Sequence, residues 1–109
     1  MTVYNKLVRD KIPEIIENCG EWPDIRVLED AEYLQCLEAK LDEEVGEYHR
    51  DKNLEELADI LEVVYALADA IGSREELQKT YQHKLATRGG FKERLFLVSK
   101  ESGIKSVEE

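Results

Sequence analysis

Residues 40–59 read KLDEEVGEYHRDKNLEELAD, and this stretch decides the fold. It holds two acidic clusters, Glu43-Glu44-Val45-Gly46-Glu47 and Glu55-Glu56-Leu57-Ala58-Asp59. Each contains a pair of carboxylates three residues apart, Glu44/Glu47 and Glu56/Asp59. On a helix, residues at that spacing project from one side. The break around Asp51 to Asn53 is short, so two helices flanking it are predicted to lie side by side and antiparallel. The four carboxylates would then converge between them. Such a group is electrostatically unfavourable unless a cation sits in it. A hard divalent ion that prefers oxygen ligands suits it, Mg2+ first and Mn2+ as the alternative.

The neighbouring apolar residues support this placement. On the first helix the stripe is Leu34, Leu37, Leu41, Val45 and Tyr48, with helical spacing throughout. Glu44 lies at its edge and Glu47 one step further out. On the second helix Glu56 lines up with Ile60, Val63 and Leu67, on an otherwise apolar face. A carboxylate there is costly unless paired or bound to metal. The competing reading is a solvated acidic surface with ordinary ion pairs, such as Lys40 with Glu44.

At 109 residues the chain is expected to form one domain, residues 1–98, followed by a polar tail, 99–109. A core of that size is small, so association with a second copy would add stability. The apolar arc of the second helix (Leu54, Leu57, Ile60, Leu61, Val63, Val64, Leu67, Ala68, Ile71) is too broad for one partner helix. A homo-oligomer, most simply a dimer, is expected. The net charge of -10 argues against nucleic acid and anionic membranes as partners. Cys19 and Cys36 form no metal or redox motif and read as free thiols in a reducing cytoplasm. No signal peptide is expected, since MTVYNKLVRD lacks an apolar core, and no membrane span, since Glu62 and Asp69 interrupt the most apolar run, Ile60 to Ile71.

The fold class is mainly all-α, an antiparallel helical bundle, with a small β element near the termini as a further expectation. Asp10 is read as the cap of a first helix ending near Asn18, with Pro13 in its first turn and Gly20 beyond its end. Asp30 is read as the cap of the first long helix, to about Arg50. The second runs from Asn53 to Gly72. Ser73 to Glu76 has the form of a capping box opening another helix, ended by Gly89-Gly90. Extended segments are expected at Val3–Val8, Ile25–Leu28 and within Phe91–Val98.

Three features together resemble one family: YNKLVRDKIPEII (4–16), KLDEEVGEY (40–48) with EELADILEVVYAL (55–67), and KLATRGGF (84–91). They look like the MazG-type all-α nucleoside triphosphate pyrophosphatases, and most like the phosphoribosyl-ATP pyrophosphohydrolase-like branch. The resemblance spans residues 4 to about 97. It implies Mg2+-dependent hydrolysis of a nucleoside triphosphate to monophosphate and pyrophosphate. Glu44, Glu47, Glu56 and Asp59 would be the metal ligands, with Glu43 orienting a ligand or water. Phosphates need cations that acidic helices lack. The candidates are Lys6, Arg9 and Lys11, then Lys84 and Arg88, with Lys40 placed to reach the site. His49 and His83 stand without a partner at ligand spacing, and Trp22 is read as either a base-stacking group or a cover for the core. There is neither a Walker A motif nor an EF-hand loop. The alternative is a non-catalytic dimeric helical module that binds nucleotide or protein.

Overall fold

The computed structural model describes residues 1–103, and these form four helices and no strand. They are α1 (Ile12–Asn18), α2 (Asp30–Asp51), α3 (Leu54–Ile71) and α4 (Arg74–Arg88). The chain divides into two compact units, Met1–Arg74 and Glu75–Glu109.

In the first unit α2 and α3 pack against each other as a hairpin. Only Lys52 and Asn53 separate them, so they run antiparallel. Lys52 reverses the chain in the left-handed conformation (φ 49°, ψ 51°), and its N–H donates to the Tyr48 carbonyl at 2.8 Å. Asn53 then caps α3: its Oδ1 accepts from the Glu56 N–H at 3.0 Å. At the far end Arg74 folds back, donating through Nε to Asp69 at 2.9 Å and lying 5.0 Å over the Tyr65 ring.

The hairpin's core is thin. Leu37, Val63 and Ala68 are the buried apolar residues among those described. Leu34, Leu41, Val45, Ile60, Val64 and Leu67 are half-buried around them, on the predicted inward faces. The other side of the α3 arc is open, with Leu54 81%, Leu57 43%, Leu61 50% and Ile71 76% exposed.

The second unit consists of most of α4 and the segment after it. Thr80 and Thr87 return their hydroxyls to the carbonyls four residues back, at 2.9 and 2.8 Å. Gly89 ends the helix with φ 78°, which only glycine adopts at little cost, and its N–H donates to the Leu85 carbonyl.

Three local expectations are corrected. Asp10 does not cap α1; a turn in which the Ile12 N–H donates to the Arg9 carbonyl (3.1 Å) moves the cap to Lys11. Pro13, in the first turn, needs no amide partner there. Asp30 does not cap α2 either. Glu29 holds that position in extended conformation with no side-chain cap, and Asp30 falls in the first turn, where a negative charge suits the helix dipole. The β element is absent among the described residues. Asn5 (φ 45°) breaks Val3–Val8 and Arg94 (φ 61°) breaks Phe91–Val98, while 25–28 has no strand to pair with. A strand exists only through its ladder partner. Trp22 is 93% exposed, so it covers no core. Of the tail expected at 99–109, residues 104–109 lie outside the described residues.

Candidate metal centre

The hairpin brings Glu44 and Glu47 of α2 to Glu56 and Asp59 of α3. Each offers one carboxylate oxygen, and the four oxygens lie within 4.8 Å of one another. Helical geometry does this simply. The pairs are three residues apart on their own helices and sit close to the connector, so they meet at the same height. The Asn53 cap bond ends on the Glu56 amide, so the residue opening the α3 pair is fixed at its backbone.

The cluster is short of positive charge. Glu44 is 6% exposed, and its Oε1 lies 3.3 Å from Lys40 Nζ. Its Oε2 is buried without a hydrogen-bond partner, and so is Oε2 of Glu56. Burial pushes the Glu44 carboxyl above the ordinary value; the neighbouring Glu47 carboxylate pushes the same way, while Lys40 opposes. Glu56 is raised for related reasons: desolvation first, then the nearby carboxylates of Glu47, Asp51 and Asp59. Two partnerless buried carboxylate oxygens within a four-carboxylate set fit a hard divalent cation of the Mg2+ or Mn2+ kind.

The cations expected at the site are distributed unevenly. Arg9 reaches across from the N-terminal segment, Nη2 to Asp59 Oδ1 at 2.6 Å, with both side chains substantially exposed (55% and 38%). Lys40 is only 18% exposed and bridges Glu43 Oε2 (3.1 Å) and Glu44 Oε1 (3.3 Å). Burial alone would lower its pKa, but the hydrogen bonds and charges of Glu43 and Glu44 outweigh it, so the net direction is up. Lys6 lies 3.6 Å from the other Glu43 oxygen. Glu43 is therefore outside the four-oxygen group and acts as counter-ion to two lysines. Lys11 is exposed at the start of α1. Lys84 and Arg88 are on α4, in the second unit.

The chain Lys6–Glu43–Lys40–Glu44 was only half legible in the sequence. Lys40 stands three and four residues before Glu43 and Glu44, a spacing that forms helix-surface pairs. The link from Lys6 to Glu43, and that from Arg9 to Asp59 across 50 positions, have no local signal.

No family model matches the chain, and no solved structure matches it. A protein of Mycolicibacterium smegmatis described only as uncharacterized is 60% identical to it over 42 residues. That stretch covers 38% of this chain and 43% of the relative, so the match spans less than half of the relative's length. No described helix is long and apolar enough to cross a membrane.

Proposed function

We propose that this protein is a Mg2+-dependent pyrophosphohydrolase that cleaves a nucleoside triphosphate between its α and β phosphates. The observation that carries the proposal is the four-carboxylate group with its two buried, partnerless oxygens. The motif resemblance supplies the substrate class. Glu44, Glu47, Glu56 and Asp59 would hold the cation. A bound divalent ion supplies neutralisation of phosphate charge and an activated water.

The protein's own groups have distinct tasks in this reading. The carboxylates would hold the cation from two helices, so their places are set before substrate arrives. Hydrolysis adds a water oxygen to one phosphorus of the α,β bridge, breaks the bridging P–O bond and frees a proton. The cluster carboxylates are the proton acceptors at hand. Arg9 stands at the exposed rim, where its guanidinium can exchange Asp59 for a phosphate oxygen. Lys6 and Lys11 share the N-terminal segment with it; Lys84 and Arg88 remain phosphate candidates by motif.

The working unit in this proposal is a homodimer or a tetramer. Three buried apolar residues among those described make a small core, and Leu54, Leu57 and Leu61 form an exposed helical stripe. Free Cys19 and Cys36 suit a cytoplasmic location. The test is pyrophosphate release from a panel of nucleoside triphosphates with and without Mg2+, using wild type and Asp59→Asn. Mg2+-dependent release that is lost in the variant supports the proposal. Nucleotide binding with no release from any member returns the protein to a binding module.

A further inference from the structure

Lys40 is a substrate-binding candidate by its place beside Glu44, and its surroundings point to a further role. It is the least exposed of the paired cationic side chains around the cluster, at 18%, against 45% for Lys6 and 55% for Arg9. Its ammonium group is engaged on two carboxylates, Glu43 at 3.1 Å and Glu44 at 3.3 Å. Glu43 is itself braced from the N-terminal segment by Lys6 at 3.6 Å. Glu44 is the buried member of the four-carboxylate group; with Oε1 taken by Lys40, its partnerless atom is Oε2.

We infer that Lys40 is a positioning residue for the cation site: it pins Glu44 by Oε1 so that Oε2 is presented to the metal, and Glu43 with Lys6 pins Lys40. This inference rests on the reading of the four carboxylates as a cation centre. A glutamate has three side-chain torsions, and an unpinned carboxylate in a repulsive cluster turns away from its neighbours. Fixing one oxygen removes that freedom before the cation arrives, as outer-layer partners do in metal sites generally. The inference also gives Glu43 a role through Lys40 without placing it on metal or water.

Positioning and simple charge balance predict different outcomes. A lysine beside a cation site repels the cation, so removing its charge alone tightens metal binding. Removing the hydrogen-bond donor loosens the ligand. Lys40→Gln and Lys40→Met delete the same charge, but only Gln keeps a donor able to reach a carboxylate four residues on. Mg2+ binding to the full chain is measured by calorimetry, with melting of the metal-free variants alongside.

The expected result is that Lys40→Met binds Mg2+ about tenfold or more weakly than Lys40→Gln, the range seen for loss of an outer-layer partner. Lys40→Arg should stay close to wild type. Equal affinities for the Met and Gln variants overturn the inference. So does a lower metal-free melting temperature in Lys40→Met with unchanged Mg2+ affinity, because that is a purely structural role. Should Lys40→Met not fold, Lys40→Ser, too short to reach Glu44, carries the same comparison. Wild type that binds no Mg2+ removes the cation centre and this inference together. Wild type that binds Mg2+, with Met and Gln variants alike, removes the inference alone.

Discussion

Glu47→Gln separates a cation centre from an acidic surface most cleanly. Glu47 is half-buried and belongs to the four-oxygen group, and no cationic partner offsets its charge among the ion pairs described. Two unit charges 4.8 Å apart, the outer limit of the group, repel by ~3.5 kcal/mol at an effective dielectric constant of about 20. Solvent screening at a half-buried site reduces the relief expected for the amide to about 1 kcal/mol. The amide also donates to the carboxylates it faces. The metal-free variant should therefore melt ~4–8 °C higher than wild type. With Mg2+ the order reverses. A cation bound only to the folded state adds about 2.7 kcal/mol at a hundredfold excess over Kd. That raises wild type by ~10–20 °C on the same scale, and the variant by far less. Thermal melts with EDTA and with Mg2+ measure both, with Glu38→Gln, an exposed α2 residue outside the group, as control. A Glu47→Gln protein that melts lower than wild type without metal and shows the full Mg2+ shift refutes the reasoning.

Three further outcomes follow from the same contacts. Glu44 and Glu56 hold their protons more tightly folded than unfolded, so the stability they add is complete below the ordinary value of about 4.5 and is lost as pH rises through the raised values. With EDTA, wild type should lose melting temperature from about pH 4.5 upward more steeply than Glu56→Gln; parallel profiles contradict this. Arg9→Ala removes an exposed ion pair and should barely change stability, at most about 1 kcal/mol. It should cost about 2 kcal/mol in triphosphate binding while leaving Mg2+ affinity level or higher, which paired titrations check. Leu61→Glu places a charge on the open α3 stripe; if that stripe seats a second copy as proposed, wild type sediments as an oligomer and the variant as a monomer, and equal sedimentation coefficients for the two contradict this.

The helices and the acidic group were legible because both obey helical spacing, which survives packing. Val63 and Leu37 face inward where the stripes put them, and Asn53 caps α3 as its side chain favours. Glu44 is the buried charge, although its place at the stripe's edge suggested less cover than Glu56 receives on its apolar face. Lys40, itself only 18% exposed, pairs with Glu44 at 3.3 Å. The strand expectations failed because β-prone composition specifies no partner, and the two aspartate caps failed because neighbouring backbone turns decided where the helices begin. The Arg9–Asp59 and Lys6–Glu43 pairs depend on the path of the N-terminal segment, which periodicity does not encode.

The two-residue connector at Lys52 and Asn53 has a mechanical consequence. Glu47 is four residues from the end of α2, and Asp59 five from the start of α3. At ~1.5 Å per residue, all of the α3 pair and Glu47 lie within about 8 Å of the closed end of the hairpin. Two rods joined at one end diverge least near the joint. Splaying of the opposite end, where α2 begins and α3 finishes, thus moves these carboxylates little, even with so thin a core. Inserting a residue between Asp59 and Val63 has a different effect: with Val63 and Ala68 kept inward, Glu56 and Asp59 turn by about 100° and leave Glu44 and Glu47. The closed end therefore behaves as a gauge block, tolerant of substitution at Lys52, where glycine suits the left-handed geometry better, while α3 between Asp59 and Val63 is intolerant of insertion.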